Sequence, residues 1–292
     1  MSGGIKSLLL KTGSSTAASL RSYYPRVRDR DDIEVLRCDR SGAIVLRRED
    51  HINPAYYANK TEGVWGQTER MKALAVGRND TERRAEAFRS LISGKRWLDV
   101  GTGSGGILDA LSPCAGSVVA VEPQDSKRAY LVRCGYEVYA SVEDVPDLQL
   151  EVVSLFHVFE HLTDPVGLLD QLRAKMELGS HLVIEVPHAR DALLSTYDCE
   201  AFRAFTLWSE HLILHTRQTL KAFIESSGFS LERIEGVQRY PLANHLYWLS
   251  NGKPGGQAVW PELVDEELNA AYARILCSND ASDTLVAIAT AV

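Results

Sequence analysis

Apolar residues follow two rhythms along the chain, and the change comes at Lys95. From there, short β-like runs, "RWLDV", "SVVAVE", "YEVYA", "LEVVSLFHV" and "HLVIEV", alternate with stretches of helical spacing. That alternation predicts βαβ units, hence a parallel sheet with helices on both faces. Asp164 followed by Pro165 marks a helix start, because Asp caps free N–H groups and Pro suits the first helical position. The amphipathic "VGLLDQLRAKMEL" follows, with Gly179 as its expected stop. A second helix, "TRQTLKAFIESSG", has Thr216 as cap and Gly228 as stop. It feeds the strand "FSLERIEGV", beside which "DTLVAIATAV" is expected to pair as a last, antiparallel strand.

Before Lys95 the pattern differs. Residues 33–47, "IEVLRCDRSGAIVLR", read as a hairpin about the "DRSG" turn, and "TERRAEAFRSLISG" as a polar helix closed by Gly94. The first thirty residues hold no acid before Asp29 and several Lys, Arg and Ser, a composition shared with organellar transit peptides, and read as a flexible or loosely docked arm. Late in the chain, "QRYPLANHLYWLSNGKPGGQAVWPEL" is rich in aromatics, Gly and Pro, which suits a structured cap. The expected division is an arm and hairpin appendage over 1–65, then an α/β domain over 66–292 with a cap insertion at 238–275.

Composition adds exclusions. The 292 residues are 45% hydrophobic and 24% charged, as in ordinary globular proteins, and the net charge of −7 gives no bulk electrostatic reason to bind nucleic acid. No apolar run reaches the length of a membrane span, so no stable membrane insertion is expected. The five cysteines show neither CxxC nor Cys/His spacing, which points to reduced thiols, a cytoplasmic setting and no metal site. Oligomeric state is not legible.

The chemistry begins at "KRWLDVGTGSGGILDAL". Gly101, Gly103 and Gly106 satisfy GxGxxG, a pattern that serves dinucleotides and other nucleosides alike, since it makes a tight strand-to-helix turn open to a ligand. The acids discriminate. Asp99, two residues before the first glycine, would repel a pyrophosphate and attract an amino group, and Glu122 at the next strand end suits two ribose hydroxyls. Together they favour a phosphate-free nucleoside over a nicotinamide dinucleotide.

"LDVGTGSGG", "VVAVEP", "VVSLFHVFEHLTDP" and "HLVIEVPH", in that order, resemble the motif series of class I S-adenosylmethionine-dependent methyltransferases over residues 95–235. The resemblance implies a Rossmann-like doubly wound sheet, mostly parallel with an antiparallel last strand, and S-adenosyl-L-methionine as cofactor, leaving S-adenosyl-L-homocysteine. It implies that Asp99, Gly101 and Gly103 face the methionine part, with Thr102 and Gly105 in the same turn. Glu122 and Pro123 fall at the ribose, Val142 and Glu143 at the adenine edge, and Phe156 and His157 wall the methionine side.

The flanks, "CDRSGAIVL", "YYANK" and "QRYPLANHLYWLSNGKPGG", resemble methyltransferases of sugar and surface-polysaccharide biosynthesis. "SEHLILHT" resembles the segment of sugar C-methyltransferases in which a Glu–His pair serves proton transfer, although here no cysteine-rich lobe is present and "ILHT" replaces an aromatic pair. The expected reaction is methylation of a hydroxyl or carbon on a sugar, sugar nucleotide or glycan precursor. A displacement at a sulfonium carbon needs alignment and a base, so the catalytic candidates are His211, Glu210 and His161. His188, Asn244, His245 and Tyr57 are candidates for substrate contact, although His161 also suits a loop brace and Tyr57 a lid or an anchor for the arm. Alternatives are a small-molecule O-methyltransferase of secondary metabolism, a nicotinamide-dependent oxidoreductase, and a catalytically silent partner protein.

Overall fold

The structure, a computed structural model, describes residues 4–53, 55–58 and 66–292; the end of "YYANK" and the rest of 59–65 lie outside the described residues. Among them are the strands β1 (Leu20–Tyr24), β2 (Val35–Cys38), β3 (Ile44–Leu46), β4 (Arg96–Val100), β5 (Ser117–Val121), β6 (Val138–Tyr139), β7 (Leu150–Phe156), β8 (Met176–Pro187), β9 (Ile213–Leu214), β10 (Phe229–Val237) and β11 (Thr284–Ala291). They form a seven-stranded sheet in the order β10-β11-β8-β7-β4-β5-β6 and a four-stranded sheet in the order β1-β2-β3-β9. In the large sheet β6, β5, β4, β7 and β8 run parallel, while β11 lies antiparallel between β8 and β10. This is the doubly wound α/β fold that the alternating pattern predicts.

Alternate strand residues face opposite layers, as the two-residue period of a strand requires. Trp97, Val152 and Val183 pack with Phe88 and Ile92 of the helix Arg78–Ile92 and with Leu108 and Leu111 of Gly106–Leu111. Leu98, Val153 and Ile184 pack on the other side with Leu169 and Leu172 of Pro165–Ala174 and with Leu220 and Phe223 of Arg217–Ser226. The caps read from sequence are present: Asp164 accepts from the Gly167 N–H, and Thr216 from the Thr219 N–H.

Three sequence expectations change. The amino-terminal arm is neither flexible nor loosely docked once described, because Ile5, Leu8 and Leu9 of the helix Ile5–Lys11 are buried in the same core as β2 and β3, and β1 pairs with β2. Gly179 does not stop a helix. The helix ends at Ala174, β8 starts at Met176, and a wide bulge carries its register from Met176 opposite Leu150 to His181 opposite Val152. Leu178, which a helical face would bury, is 82% exposed. The "DRSG" hairpin forms, but its outer partner comes from far away, since β3 pairs with β9 through Ile44↔Leu214 and Val45↔Ile213. Between β10 and β11 stand the helices Leu242–Asn251, Gly256–Val259 and Glu266–Ser278. No helix among the described residues is long and apolar enough to cross a membrane.

Candidate active site

The parallel strands β4, β5, β7 and β8 end on one edge of the sheet, where open α/β sheets hold their ligands. The turn after β4 shapes that edge. Gly101 has φ +73°, and a Cβ there would lie 2.4 Å from Val158 Cγ2, so only glycine lets the turn pass under the loop after β7. The Gly103 N–H donates to Glu122 Oε2 at 2.7 Å, and the Gln124 N–H to Glu122 Oε1 at 2.9 Å. Glu122 therefore occupies a backbone donor that a pyrophosphate would need. Gly105, at φ +77°, is the residue before the helix Gly106–Leu111.

A cavity of about 440 Å³ opens over this edge. Gly101, Glu122, Pro123, Val142, Glu143 and His157 line it, together with Tyr57, His161 and Glu210. A smaller space of about 250 Å³ continues past Gly101 and His157 to Asp99, Thr102 and Phe156. Gly103 and Gly105 line neither; they build the turn. Tyr57 faces this first cavity, its hydroxyl buried without a hydrogen-bond partner. Asp99 is fixed through a short chain in which Trp97 Nε1 donates to Ser154 Oγ at 2.9 Å and Ser154 Oγ donates to Asp99 Oδ1 at 2.6 Å. Burial pushes the Asp99 carboxyl up to about 6 and also raises Glu122.

A third space, of about 400 Å³, meets the first at His157 and His161. His188, His211, Asn244 and His245 line it with Glu160, Asp191 and an apolar wall of Leu194, Phe202 and Trp248. Its floor is the segment leading into β9, held on several sides. The Leu212 N–H donates to the Glu160 carbonyl, Leu46 N–H to the Leu212 carbonyl, and Ala189 N–H to the His215 carbonyl. Asn244 Oδ1 accepts from the Gly255 N–H and so shapes the cap, while His188 Nδ1 meets the Ser282 carbonyl at 3.0 Å and His245 Nδ1 the Tyr272 hydroxyl at 2.8 Å. Burial holds both histidines down at about 4, hence uncharged near neutrality.

Around the junction the charges pair closely. Glu185, fully buried in β8, accepts from Arg83 at 2.8 Å and Arg84 at 2.5 Å and lies 3.3 Å from His157 Nε2. Burial opposes its charge, yet His157 and the two arginines hold its carboxyl well below the usual range. His157, at φ +55°, sits between Glu160 (Nδ1–Oε1 3.2 Å) and Glu185; burial and Arg239 disfavour its cation, but the two carboxylates outweigh them and raise it. Arg239 pairs with Asp80 and Asp283. Burial, then the neighbouring Asp283, pushes Asp191 up to about 8, making it a hydrogen-bond donor at neutral pH.

The structure brings His161 and His211 together, ring centroids 5.1 Å apart, but arranges Glu210 differently from a His211 orienter. The Glu210 carboxylate accepts from the Tyr56 hydroxyl at 3.0 Å, and its backbone carbonyl accepts from His161 Nδ1 at 2.8 Å. The carboxylate beside both histidines is Glu160. Sequence reasoning passed over Glu160, Glu185, Asp191 and Arg239 as site residues. For Glu185 the signal was present, an acid inside the apolar run "HLVIEVP" that must be paired if the strand is buried.

Comparison with known proteins follows the same geometry. A family profile described as a methyltransferase domain matches residues 70–234. The methyltransferase of Haloferax volcanii solved with the Trm112 methyltransferase activator is 15% identical, with a TM-score of 0.52 over 77% of this chain and 94% of that one. A SAM-dependent methyltransferase from Thermotoga maritima is 18% identical, TM-score 0.50, over 76% and 94%. Phosphoethanolamine N-methyltransferase 2 of Haemonchus contortus, solved with phosphomonomethylethanolamine and S-adenosylhomocysteine, is 14% identical, TM-score 0.51, over 82% and 61%. At such identities the likeness is one of fold. No curated protein matches the chain.

Proposed function

The chain belongs to the methyltransferase-domain family, and on that premise we propose that it moves a methyl group from S-adenosylmethionine to an uncharged, hydroxyl-bearing acceptor of the sugar or glycan-precursor class. The observation that carries the cofactor half is Glu122 on the Gly103 N–H: a carboxylate stands where a dinucleotide would place its phosphates. Glu122 then receives the ribose hydroxyls, Val142 and Glu143 border the adenine, and Asp99 in the smaller space meets the amino group of the methionine part. When bound, S-adenosylmethionine supplies a methyl group activated by its sulfonium.

The acceptor occupies the third space, which touches the first only at His157 and His161 among their lining residues. What supports a sugar is the mixed lining: Phe202 and Trp248 offer apolar faces for ring C–H groups, while protonated Asp191 offers a hydrogen bond to a hydroxyl. The paired state of Arg239 argues against a phosphate inside this space. His211 and His161 are the groups that handle the acceptor's proton, with Glu210 positioning His161 through its carbonyl. A small phenolic acceptor is the second reading, favoured by the same aromatic wall.

Calorimetry with S-adenosylhomocysteine tests the first half. Wild type binds, and Asp99→Ala and Glu122→Ala each weaken binding by at least about tenfold, the weight of one charged hydrogen bond; unchanged affinity in both variants refutes the placement. Radiolabelled methyl transfer across monosaccharides, nucleotide sugars, lipid-linked glycans, phenols and amines tests the second, and labelling confined to phenols or amines refutes the sugar class.

A further inference from the structure

Glu160, His161 and His211 form a cluster whose hydrogen bonding does not close on itself. Glu160 is fully buried; its Oε1 faces His157 Nδ1 at 3.2 Å, and its Oε2 has no hydrogen-bond partner. His161 donates from Nδ1 to the Glu210 carbonyl at 2.8 Å, and its Nε2 lies 3.7 Å from Glu160 Oε1, beyond hydrogen-bond distance. The His211 Nδ1 is buried and has no hydrogen-bond partner. One ligand-capable atom from each of the three lies within 4.8 Å of the others. Each of the three thus brings a ligand-capable atom to one place, and two polar atoms of the group, Glu160 Oε2 and His211 Nδ1, are buried without a partner, a cost that a cation among them would relieve.

We propose that Glu160, His161 and His211 bind a divalent transition-metal ion at the junction of the cofactor cleft and the acceptor space. Two imidazoles and one carboxylate suit Zn²⁺, Mn²⁺, Fe²⁺ or Co²⁺, whereas Mg²⁺ and Ca²⁺ prefer oxygen alone. His161 gives its other ring N–H to the Glu210 carbonyl, which is how ligating imidazoles are kept in tautomer and orientation. Bonds of about 2.1 Å place three ligand atoms about 3.4 Å from each other in a tetrahedral site, so the side chains, whose ligand atoms now lie within 4.8 Å, would close by about an ångström on binding. All three residues line the acceptor space, so the open coordination positions face the acceptor. This deepens the proposed function and rests on it: His161 and His211 would act on the acceptor's proton through the ion rather than as free bases, the ion acidifying an acceptor hydroxyl so that its proton passes to water with no change of oxidation state.

The test is titration of the untagged, metal-stripped full chain with Co²⁺, read by its visible ligand-field absorption and by calorimetry. One Co²⁺ per chain is expected, displaced by Zn²⁺ and weakened at least about tenfold, as for lost ligands, in Glu160→Gln, His161→Ala and His211→Ala. His181→Ala, outside the cluster, leaves it unchanged. S-adenosylhomocysteine affinity in Glu160→Gln and His211→Ala stays at the wild-type value, which shows that both fold. Absence of Co²⁺ binding, or binding equal in Glu160→Gln and wild type, overturns the ion site; when the nucleoside still binds, the proposed function stands without it. Co²⁺ binding lost in the three variants of a chain that fails to bind the nucleoside supports the ion site and refutes the cofactor placement.

Discussion

Asp99 and Ser154 face each other across the neighbouring parallel strands β4 and β7, and the Ser154 hydroxyl donates to the Asp99 carboxylate at 2.6 Å. This bond holds a buried acid at the mouth of the glycine turn, and the acid's titration then governs how the cleft meets a cationic amine. With Asp99 pushed up to about 6 by burial, S-adenosylhomocysteine affinity should fall about tenfold per pH unit below 6 and level off above it. Calorimetry between pH 5 and 8 reads the slope, and Asp99→Asn should flatten it.

The same acid makes an opposite contribution to the ligand-free fold. A folded value of about 6 against 3.8 for the free group means that its stabilising share is full below pH 3.8 and is lost as pH rises through 6. Asp99→Asn should therefore raise the unfolding free energy at pH 8 by up to about 3 kcal/mol and hardly change it at pH 3.5, as denaturant titrations would show.

Glu185 behaves in the reverse sense. Its carboxyl is held low by His157, Arg84 and Arg83, so its share of stability is present above the usual 4.5 and disappears as pH falls through its depressed folded value. Glu185→Gln leaves the half-buried Arg84 without its carboxylate and should cost about 3–5 kcal/mol at neutral pH. The gap in melting temperature from wild type should narrow in acid.

Gly101→Ala combines two costs, a side chain at φ +73° and a Cβ 2.4 Å from Val158. A loss of about 1–3 kcal/mol from the backbone alone is expected, with S-adenosylhomocysteine affinity falling in parallel. Adding Val158→Ala relieves the clash but not the backbone, so the double variant should recover only part of the affinity.

His211→Ala should keep nucleoside affinity and lose turnover by about a hundredfold, the scale of a removed group that polarises or takes a proton. Steady-state kinetics should show the loss in kcat rather than in the KM for S-adenosylmethionine. Unchanged turnover would make His211 a packing residue of the β9 segment.

The glycine turn and the acids beside it were legible in the sequence because they are local. Asp99, the glycines and Glu122 fall within one βαβ unit, where spacing along the chain nearly equals arrangement in space. The acceptor side was less so. Glu160 and His211 meet only because a short turn after β7 and the segment before β9 are bonded together, and no periodicity links them. Gly179 misled for a related reason: the bulge in β8 is set by pairing with β7, which helical spacing cannot report. The arm misled because Ile5, Leu8 and Leu9 form an apolar stripe too short to weigh by itself, and its burial depends on β2 and β3.

The pairing of β3 with β9 makes the wall of the third space a joint product of two distant stretches of chain. A fragment that began at Lys95 would lose the edge on which Ile213 and Leu214 are laid, and with it the setting of His211, and would also strip Tyr57, Asp80, Thr81 and Arg84 from the walls of the nucleoside cleft. If the acceptor lies where we propose, changes among residues 33–46 should retune what is methylated before they reach the nucleoside cleft, whose walls include none of them.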